Sequence, residues 1–313
     1  MNQSPSMDLS IIIVNWNTRD LLAQCLASVL ADIHASPYLQ VETLLVDNAS
    51  TDGSVQMVRD QFPWVRLLAN PENVGFAAAN NQAIQQSAGR YVLLLNPDTE
   101  VKPGALATLV GFMEAHSQAG AAGACLLNPN GTLQTSCYPF PTLSGEIWRL
   151  FHVDVLYLYG VYRMADWPLD RPRAVEVIQG AALILRRSAL DQVGLLDALY
   201  FMYTEEVDLC YRLHQAGWQL YWVPEAKVIH YGGQSTRQVP LKMFLCLYQT
   251  KLFFIRKHHG WLAALIYKII LAATSLIRLL LAPLAWFERA PQRQRHVTLT
   301  HRYYHLLRAL PKM

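Results

Sequence analysis

Four short apolar runs in the first hundred residues, each followed by asparagine or aspartate, constrain this chain more than any other feature. Leu9–Val14, Val41–Val46, Val65–Ala69 and Tyr91–Leu95 are largely apolar and of strand length. Between them, Asp20–Leu30 brings Leu21, Leu22, Cys25, Leu26 and Val29 to one helical face. Ser54–Gln61 and Phe76–Ser87 also read as helices, the second expected to close on a left-handed Gly89. Strands apolar on both faces and separated by helices predict a mostly parallel sheet covered on both sides, an α/β fold. Hydrophobic residues at 52% and charged ones at 16% provide the core for it and exclude a disordered or fibrous chain.

In an open α/β sheet, ligands bind beyond the carboxyl ends of the strands. Those ends read Asn15-Trp16-Asn17-Thr18, Asp47-Asn48-Ala49-Ser50-Thr51-Asp52, Asn70-Pro71-Glu72-Asn73-Val74-Gly75 and Asn96-Pro97-Asp98-Thr99-Glu100. Any one alone reads as a turn with a helix cap, Ser50 and Asp52 above all. Four together predict one polar crevice. A dinucleotide fold would need a glycine-rich turn after the first strand, and that turn has no glycine. Further on, Asn128–Arg173 mixes turn residues with aromatics and reads as a long excursion toward substrate. Regular elements resume with a strand over Val175–Leu185, a helix over Glu205–Gln215 closed by Gly217, and strands at Leu220–Val223 and Lys227–His230.

The mild net charge of +3 conceals an asymmetry. From Leu241 onward there are 12 Lys/Arg against one acidic residue, Glu288, a charge of +11; residues 1–240 hold 14 Lys/Arg against 22 Asp/Glu, a charge of −8. An acidic body with a basic, apolar tail points to an anionic surface as partner. Within the tail, Trp261–Phe287 is almost wholly apolar, with no stretch of about 20 residues free of charge such as a membrane span needs. On a helix Lys257, Lys268 and Arg278 fall within about 80° of arc, the pattern of a helix lying in a membrane interface and broken at Pro283, or else of a partner-binding or core helix with snorkelling cations. Cations spaced through apolar sequence argue against nucleic acid. Five scattered cysteines without a CxxC pair, and a polar start without a signal peptide, predict a reducing compartment and the cytoplasmic face of the membrane.

Several ordered segments carry a family resemblance: Ser10–Asn17, Val46–Ser54, Asn73–Phe76 with Asn80-Asn81, Leu95–Asp98, Gly180–Arg187, Phe201–Arg212 and His230–Ser235. Together they resemble the family 2 glycosyltransferases over roughly residues 9–240, in wording similar to bacterial rhamnosyltransferases of cell-surface polysaccharide assembly. The resemblance implies a GT-A, Rossmann-like domain over 1–240, its nucleotide-sugar half about 9–127 and its acceptor half about 128–240. The basic helical extension is 241–313. It implies an inverting enzyme that takes a sugar from a nucleoside diphosphate, with dTDP-L-rhamnose as donor and a polyprenyl-linked saccharide as acceptor.

By the same resemblance Asp47 would contact the nucleotide base, with Asn17, Asn73 and Gly75 lining that pocket. Asn96-Pro97-Asp98 stands in place of an Asp-x-Asp motif, so Asn96 replaces the first aspartate and Asp98 would hold Mg²⁺ or Mn²⁺. His230 could complete the metal site, an imidazole being a competent ligand, or be a satisfied core histidine. Glu206 aligns with the family's catalytic aspartate as general base, one methylene longer, with Glu205 and Asp208 as substitutes. Arg186, Arg187 and Arg212 could pair with acids or phosphates, or lie at the surface. Glu206 and Asn96 depart from the family pattern and leave open a competing reading, a non-catalytic scaffold with a transferase fold.

Overall fold

The computed structural model describes residues 7–151, 160–283 and 290–313. The chain forms two compact units, Met1–Phe140 with Tyr162–Phe201 and Glu205–Gln238, and Pro141–Val161 with Met202–Thr204 and Val239–Met313. In the first, β1 (Leu9–Asn15), α1 (Arg19–Ala35), β2 (Val41–Asp47), α2 (Ser54–Gln61), β3 (Arg66–Ala69), α3 (Phe76–Gln85) and β4 (Tyr91–Leu95) alternate. Next come β5 (Thr99–Val101), α4 (Ala105–Ala115), β6 (Ala119–Leu127) and the two-residue β7 (Cys137–Tyr138). After α5 (Leu143–Leu150), which belongs to the second unit, the first resumes with β8 (Arg173–Ala174), β9 (Val177–Ile178) and β10 (Ala182–Arg186). It finishes with α6 (Arg187–Val193), α7 (Glu205–Gln215) and β11 (Gln219–His230).

The main sheet runs β3-β2-β1-β4-β10-β6-β11-β5, with β8 paired to β11. The pairs β1–β2, β1–β4, β2–β3 and β6–β11 are parallel; β10 is antiparallel to both its neighbours, and β5 and β8 are antiparallel to β11. This is the mixed, mostly parallel α/β sheet expected. Alternate residues of β1 divide between two cores, Leu9, Ile11 and Ile13 packing on one face and Ile12 and Val14 on the other. That period of two with no solvent-facing side is why the strand is largely apolar. Parallel register then aligns the polar ends: Asn15 lies opposite Asp47, Asp47 opposite Ala69, and Ile13 opposite Leu95.

Four expectations are corrected. Gly89 is not a left-handed cap: it lacks a positive φ, and its amide donates to Ser10 Oγ at 2.8 Å, where a Cβ would meet the Ser10 nitrogen at 2.5 Å. The run Val175–Leu185 is two strands, β9 and β10, broken at Gly180; a buried apolar run carries no periodicity that marks such a break. The last two strands are one, β11, with an irregularity between Val223 and Lys227. All five cysteines are buried and unpaired with each other, in keeping with a disulfide-free chain.

The fourth correction concerns the second unit, which is built on α5, α8 (Pro240–Leu281) and α9 (Ala290–Ala309). Gly260 at φ 88°, ψ 170° interrupts α8, so Lys257 does not share a helical face with Lys268 and Arg278. Arg278 turns inward, donating to the Leu150 carbonyl at 2.8 Å and covering the Tyr303 ring at 4.4 Å. The outward residues are apolar instead: Trp261, Leu262, Leu265, Ile269, Ile277 and Leu280 are all exposed. α8 ends at Leu281, two residues before Pro283, and by length and composition, with a mean hydropathy of 1.9 over 18 residues, it is apolar enough to cross a membrane. Phe287 and Glu288 lie outside the described residues.

Candidate active site

The carboxyl edge of β1 and β2 is tied together by short polar side chains. Asp47, 1% exposed, accepts from Asn15 Nδ2 at 2.9 Å and from the Ser50 amide at 2.8 Å. Ser50 Oγ in turn accepts from Asn15 Nδ2 and from the Asn17 amide at 2.9 Å, and Asn17 Oδ1 accepts from the Thr51 amide at 2.7 Å. Asn17 and Ala49 hold positive φ of 53° and 65°, strained for residues with a Cβ, and both sit in the turns that shape this edge. Asp52 accepts from the first amide of α1, Arg19, at 2.8 Å and from Ser54 at the start of α2, so one carboxylate serves two helix N-termini. Burial alone would raise its pKa, but the bonds from Ser54 and Arg19 hold it below the ordinary value. Beside this edge, Asn17, Arg19, Asp52, Gln234 and Gln238 line an open cavity of about 450 Å³.

Asn48, which sequence reasoning passed over, is the hub of the next turn. Its amide donates to Asn73 Oδ1 at 3.0 Å and the Gly75 carbonyl at 3.2 Å, while its oxygen accepts from Val74 and Asn70. Gly75 follows at φ 91°, ψ 167°, and the Phe76 amide donates to the Phe201 carbonyl at 2.7 Å. A Cβ on Gly75 would stand 2.6 Å from that same carbonyl oxygen. The glycine thus lets the segment before α7 approach α3.

A second cluster gathers at the ends of β4 and β11. His230 Nε2 lies 3.4 Å from Asp98 Oδ1 and 3.4 Å from Asn96 Nδ2, and both Asp98 and His230 are buried at about 5% exposure. β11 pairs His230 with Thr99, and Tyr231 donates to the Asp98 carbonyl, so backbone pairing sets this separation. Asp98 precedes a strand, β5, and not a helix as its capping alternative required. Two ligands of a small octahedral cation at about 2.1 Å stand about 3 Å apart when cis. A carboxylate oxygen and an imidazole nitrogen at 3.4 Å fit such an ion with little movement. No group of three His, Cys, Asp or Glu converges among the described residues, so phosphate oxygens and water would complete the shell.

Glu205 and Glu206 open α7, whose N-terminus favours negative charge. A Cβ on Gly180 would stand 3.7 Å from the Glu206 Cβ, and the adjoining Ala181 carbonyl accepts from the Asn96 main-chain amide at 2.9 Å. The segment entering β10 therefore joins the Glu206 and Asn96 neighbourhoods. Glu205 is 3% exposed and its Oε2 is buried without a hydrogen-bond partner among the described residues; burial and the neighbouring Glu206 push its pKa well above the ordinary value. Asp208 is corrected as a substitute base. It is fully buried and bound to Arg212 Nε at 2.7 Å, and Arg212 also donates to the carbonyls of Val193, Gly194 and Leu195. Arg186 and Arg187 likewise hold main-chain carbonyls of the scaffold, those of Met113, His116 and Ala119 for the first and of Ile84 and Gly89 for the second.

Known proteins are similar to this chain in sequence and fold. The family model "Glycosyl transferase family 2" matches residues 10–192. An N-acetylglucosaminyl-diphospho-decaprenol L-rhamnosyltransferase of Mycobacterium tuberculosis is 33% identical over 74% of this chain and 80% of its own length. Rhamnosyltransferase WbbL of Escherichia coli is 29% identical over 54% of this chain and 66% of its own. In fold, the chain is similar to the mannosyltransferase PcManGT of Pyrobaculum calidifontis, solved with GDP-mannose and Mn²⁺, with a TM-score of 0.56 at 20% identity over 97% of this chain and 86% of that one. With more than half the chain matched by the family and a relative one-third identical along most of both sequences, this chain belongs to the family 2 glycosyltransferases and is a glycosyltransferase of the GT-A fold.

Proposed function

We propose that the chain transfers L-rhamnose, with inversion, from dTDP-L-rhamnose to a saccharide carried on a polyprenyl diphosphate at the cytoplasmic membrane face. The observation that carries the reading is the 3.4 Å approach of Asp98 and His230 at the strand edge, one backbone contact away from the segment beside Glu206. The name of the mycobacterial relative supports both the sugar and the lipid-linked acceptor.

Asp98 Oδ1 and His230 Nε2 would hold Mg²⁺ or Mn²⁺, which neutralises the charge that develops on the departing nucleoside diphosphate. Asp47, Asn17, Asn73 and Gly75 form the nucleoside side of the crevice. Glu206 acts as general base: it takes the proton of the acceptor hydroxyl while that oxygen bonds to the anomeric carbon, whose bond to the diphosphate oxygen breaks on the opposite face. Burial and the neighbouring Glu206 push the Glu205 pKa up, which disfavours a second negative charge in the pair and supports Glu206 as the proton acceptor. The exposed apolar residues of α8 would seat the second unit in a membrane interface whose anionic lipids attract the basic tail.

Thermal-shift measurement against dTDP-, UDP- and GDP-sugars, with and without Mn²⁺, tests the donor assignment. A donor at a hundred times its Kd stabilises the folded chain by about 2.7 kcal/mol, so dTDP-L-rhamnose with Mn²⁺ should raise Tm more than the others. An equal or larger shift with a GDP- or UDP-sugar contradicts the assignment, and a Mn²⁺-independent shift contradicts the metal's role.

A further inference from the structure

Gln134 lies in no part of the site described so far, yet both ends of its amide are committed. The chain leaves β6, turns through Asn128–Gly131, and returns so that the Gln134 main-chain N–H donates to the Leu126 carbonyl at 2.8 Å. Leu133 bridges back to Leu127. Because β6 pairs with β11, placing Leu127 opposite Ile229, this return carries Gln134 over the end of β11. There Gln134 Nε2 donates to the His230 carbonyl at 3.1 Å and to Asn128 Oδ1 at 3.0 Å, and Gln134 Oε1 lies 2.7 Å from His230 Nδ1.

The orientation of this amide is determined by main-chain groups that can only accept. The His230 carbonyl requires a donor, which is Gln134 Nε2. Asn128 Nδ2 faces the Leu133 carbonyl, at 3.4 Å, and Thr132 Oγ1, at 3.0 Å, so Asn128 turns its oxygen to the second Gln134 proton. Gln134 Oε1 is then the only group of that amide left for His230, and an oxygen at 2.7 Å from Nδ1 requires a proton on Nδ1. In a neutral imidazole the other nitrogen then carries a lone pair. That nitrogen, Nε2, is the one facing Asp98 and Asn96. The opposite tautomer would turn an N–H toward Asp98 Oδ1, filling the space between the two candidate ligands with a proton.

We propose that Gln134 is the positioning residue of the metal site: it fixes His230 as the Nδ1–H tautomer and turns its bare Nε2 toward the divalent cation shared with Asp98. The inference rests on the metal role given to His230 above, but its tautomer half can be read without any metal. Such outer partners of a metal-bound histidine typically contribute tenfold to a hundredfold in metal affinity.

The test uses the full chain labelled with ¹⁵N in its imidazole rings, with the His230 signals assigned by their loss in His230→Ala. Metal-free wild-type protein should show His230 with the proton on Nδ1, and Gln134→Leu should abolish that preference. Mn²⁺ affinity, measured by electron paramagnetic resonance titration of free ion, should fall about tenfold or more in Gln134→Leu. Gln134→Glu, which keeps an acceptor for Nδ1–H, should retain the wild-type tautomer and most of the affinity. A proton on Nε2 in the wild-type chain overturns the proposal, as does a Gln134→Leu protein with wild-type tautomer or wild-type Mn²⁺ Kd. Failure of the underlying metal reading looks different: His230→Ala would then bind Mn²⁺ as tightly as wild type, while the tautomer change in Gln134→Leu would still stand.

Discussion

Gly75→Ala isolates the contact on which the approach of α7 to the crevice depends. Gly75 sits at φ 91°, ψ 167°, a region open essentially to glycine alone, so alanine there costs about 1–3 kcal/mol in backbone strain. Its Cβ would also lie 2.6 Å from the Phe201 carbonyl oxygen and 2.9 Å from Phe201 Cδ2. The first of these is main chain and cannot rotate away, and overpacking of this kind costs about a further 1–3 kcal/mol. Gly104 is the control in the same unit: φ is 81°, ψ 0°, and a Cβ meets nothing within 4 Å among the described residues. Gly104→Ala should therefore cost only the left-handed strain, about 1–2 kcal/mol. Urea unfolding followed by far-UV circular dichroism should place the Gly75→Ala midpoint well below that of Gly104→Ala. The surviving Gly75→Ala protein should also turn over more slowly, because displaced Phe201 shifts the segment that leads into Glu205-Glu206. Equal destabilisation by the two substitutions would refute the claim that contact with Phe201, and not glycine's backbone freedom alone, is what position 75 supplies.

Other outcomes follow from the acids of α7 and from α8. Glu206→Gln should lower kcat by about 10²–10⁴ with stability unchanged, whereas Asp208→Asn should cost about 3 kcal/mol of stability by removing the buried negative charge that Arg212 pairs with, while folded molecules keep their rate; calorimetry and single-turnover transfer separate the two. Glu205 has its folded pKa raised above the ordinary value near 4.5, by burial first and Glu206 second. The unfolded chain ionises there first, so this residue's effect is to lower stability as pH rises from about 4.5 through the folded pKa. Glu205→Gln should therefore raise Tm more at pH 8 than at pH 4.5, and a gain confined to low pH would contradict the assignment. Ile269→Glu with Leu280→Glu places charge on the exposed apolar residues of α8 and should weaken binding to vesicles containing phosphatidylglycerol at least about tenfold in co-sedimentation, each buried leucine-sized side chain contributing about 1.5–3 kcal/mol.

How much of this was legible beforehand depends on the distance over which each feature is determined. The ends of β1 to β4 could be read locally, since an apolar run stops where its strand does and the parallel register brings Asn15, Asp47 and Asn96 to one edge without further information. α7 was readable to its last residue from its acidic first turn and from Gly217 beyond it. Contacts made across long separations were not readable. Gln134 reaches His230 from 96 residues away, and Asp32 on α1 bonds the amides of Gly104 and Leu106 at the start of α4, more than 70 residues on. In neither case does the neighbouring sequence hold a signal, because the partner is a main-chain group or a ring nitrogen supplied by another element. The antiparallel insertion of β10 was hidden for a different reason. A strand buried on both faces looks the same in either direction, so only the topology distinguishes it. In the tail, cation spacing gives a shared face only along an unbroken helix, and Gly260 breaks it.

The transfer reaction itself tests the account most directly. Purified chain is incubated with dTDP-L-rhamnose and N-acetylglucosaminyl-diphospho-polyprenol, with Mn²⁺ or with a chelator, alongside Asp98→Asn, and the product is analysed by mass spectrometry and by NMR of the new anomeric centre. The account predicts a rhamnosylated lipid of inverted anomeric configuration, formed with Mn²⁺, abolished by the chelator and reduced at least about a hundredfold in Asp98→Asn, whose fold should remain intact. Product of retained configuration, or wild-type turnover by Asp98→Asn with Mn²⁺ present, would contradict it.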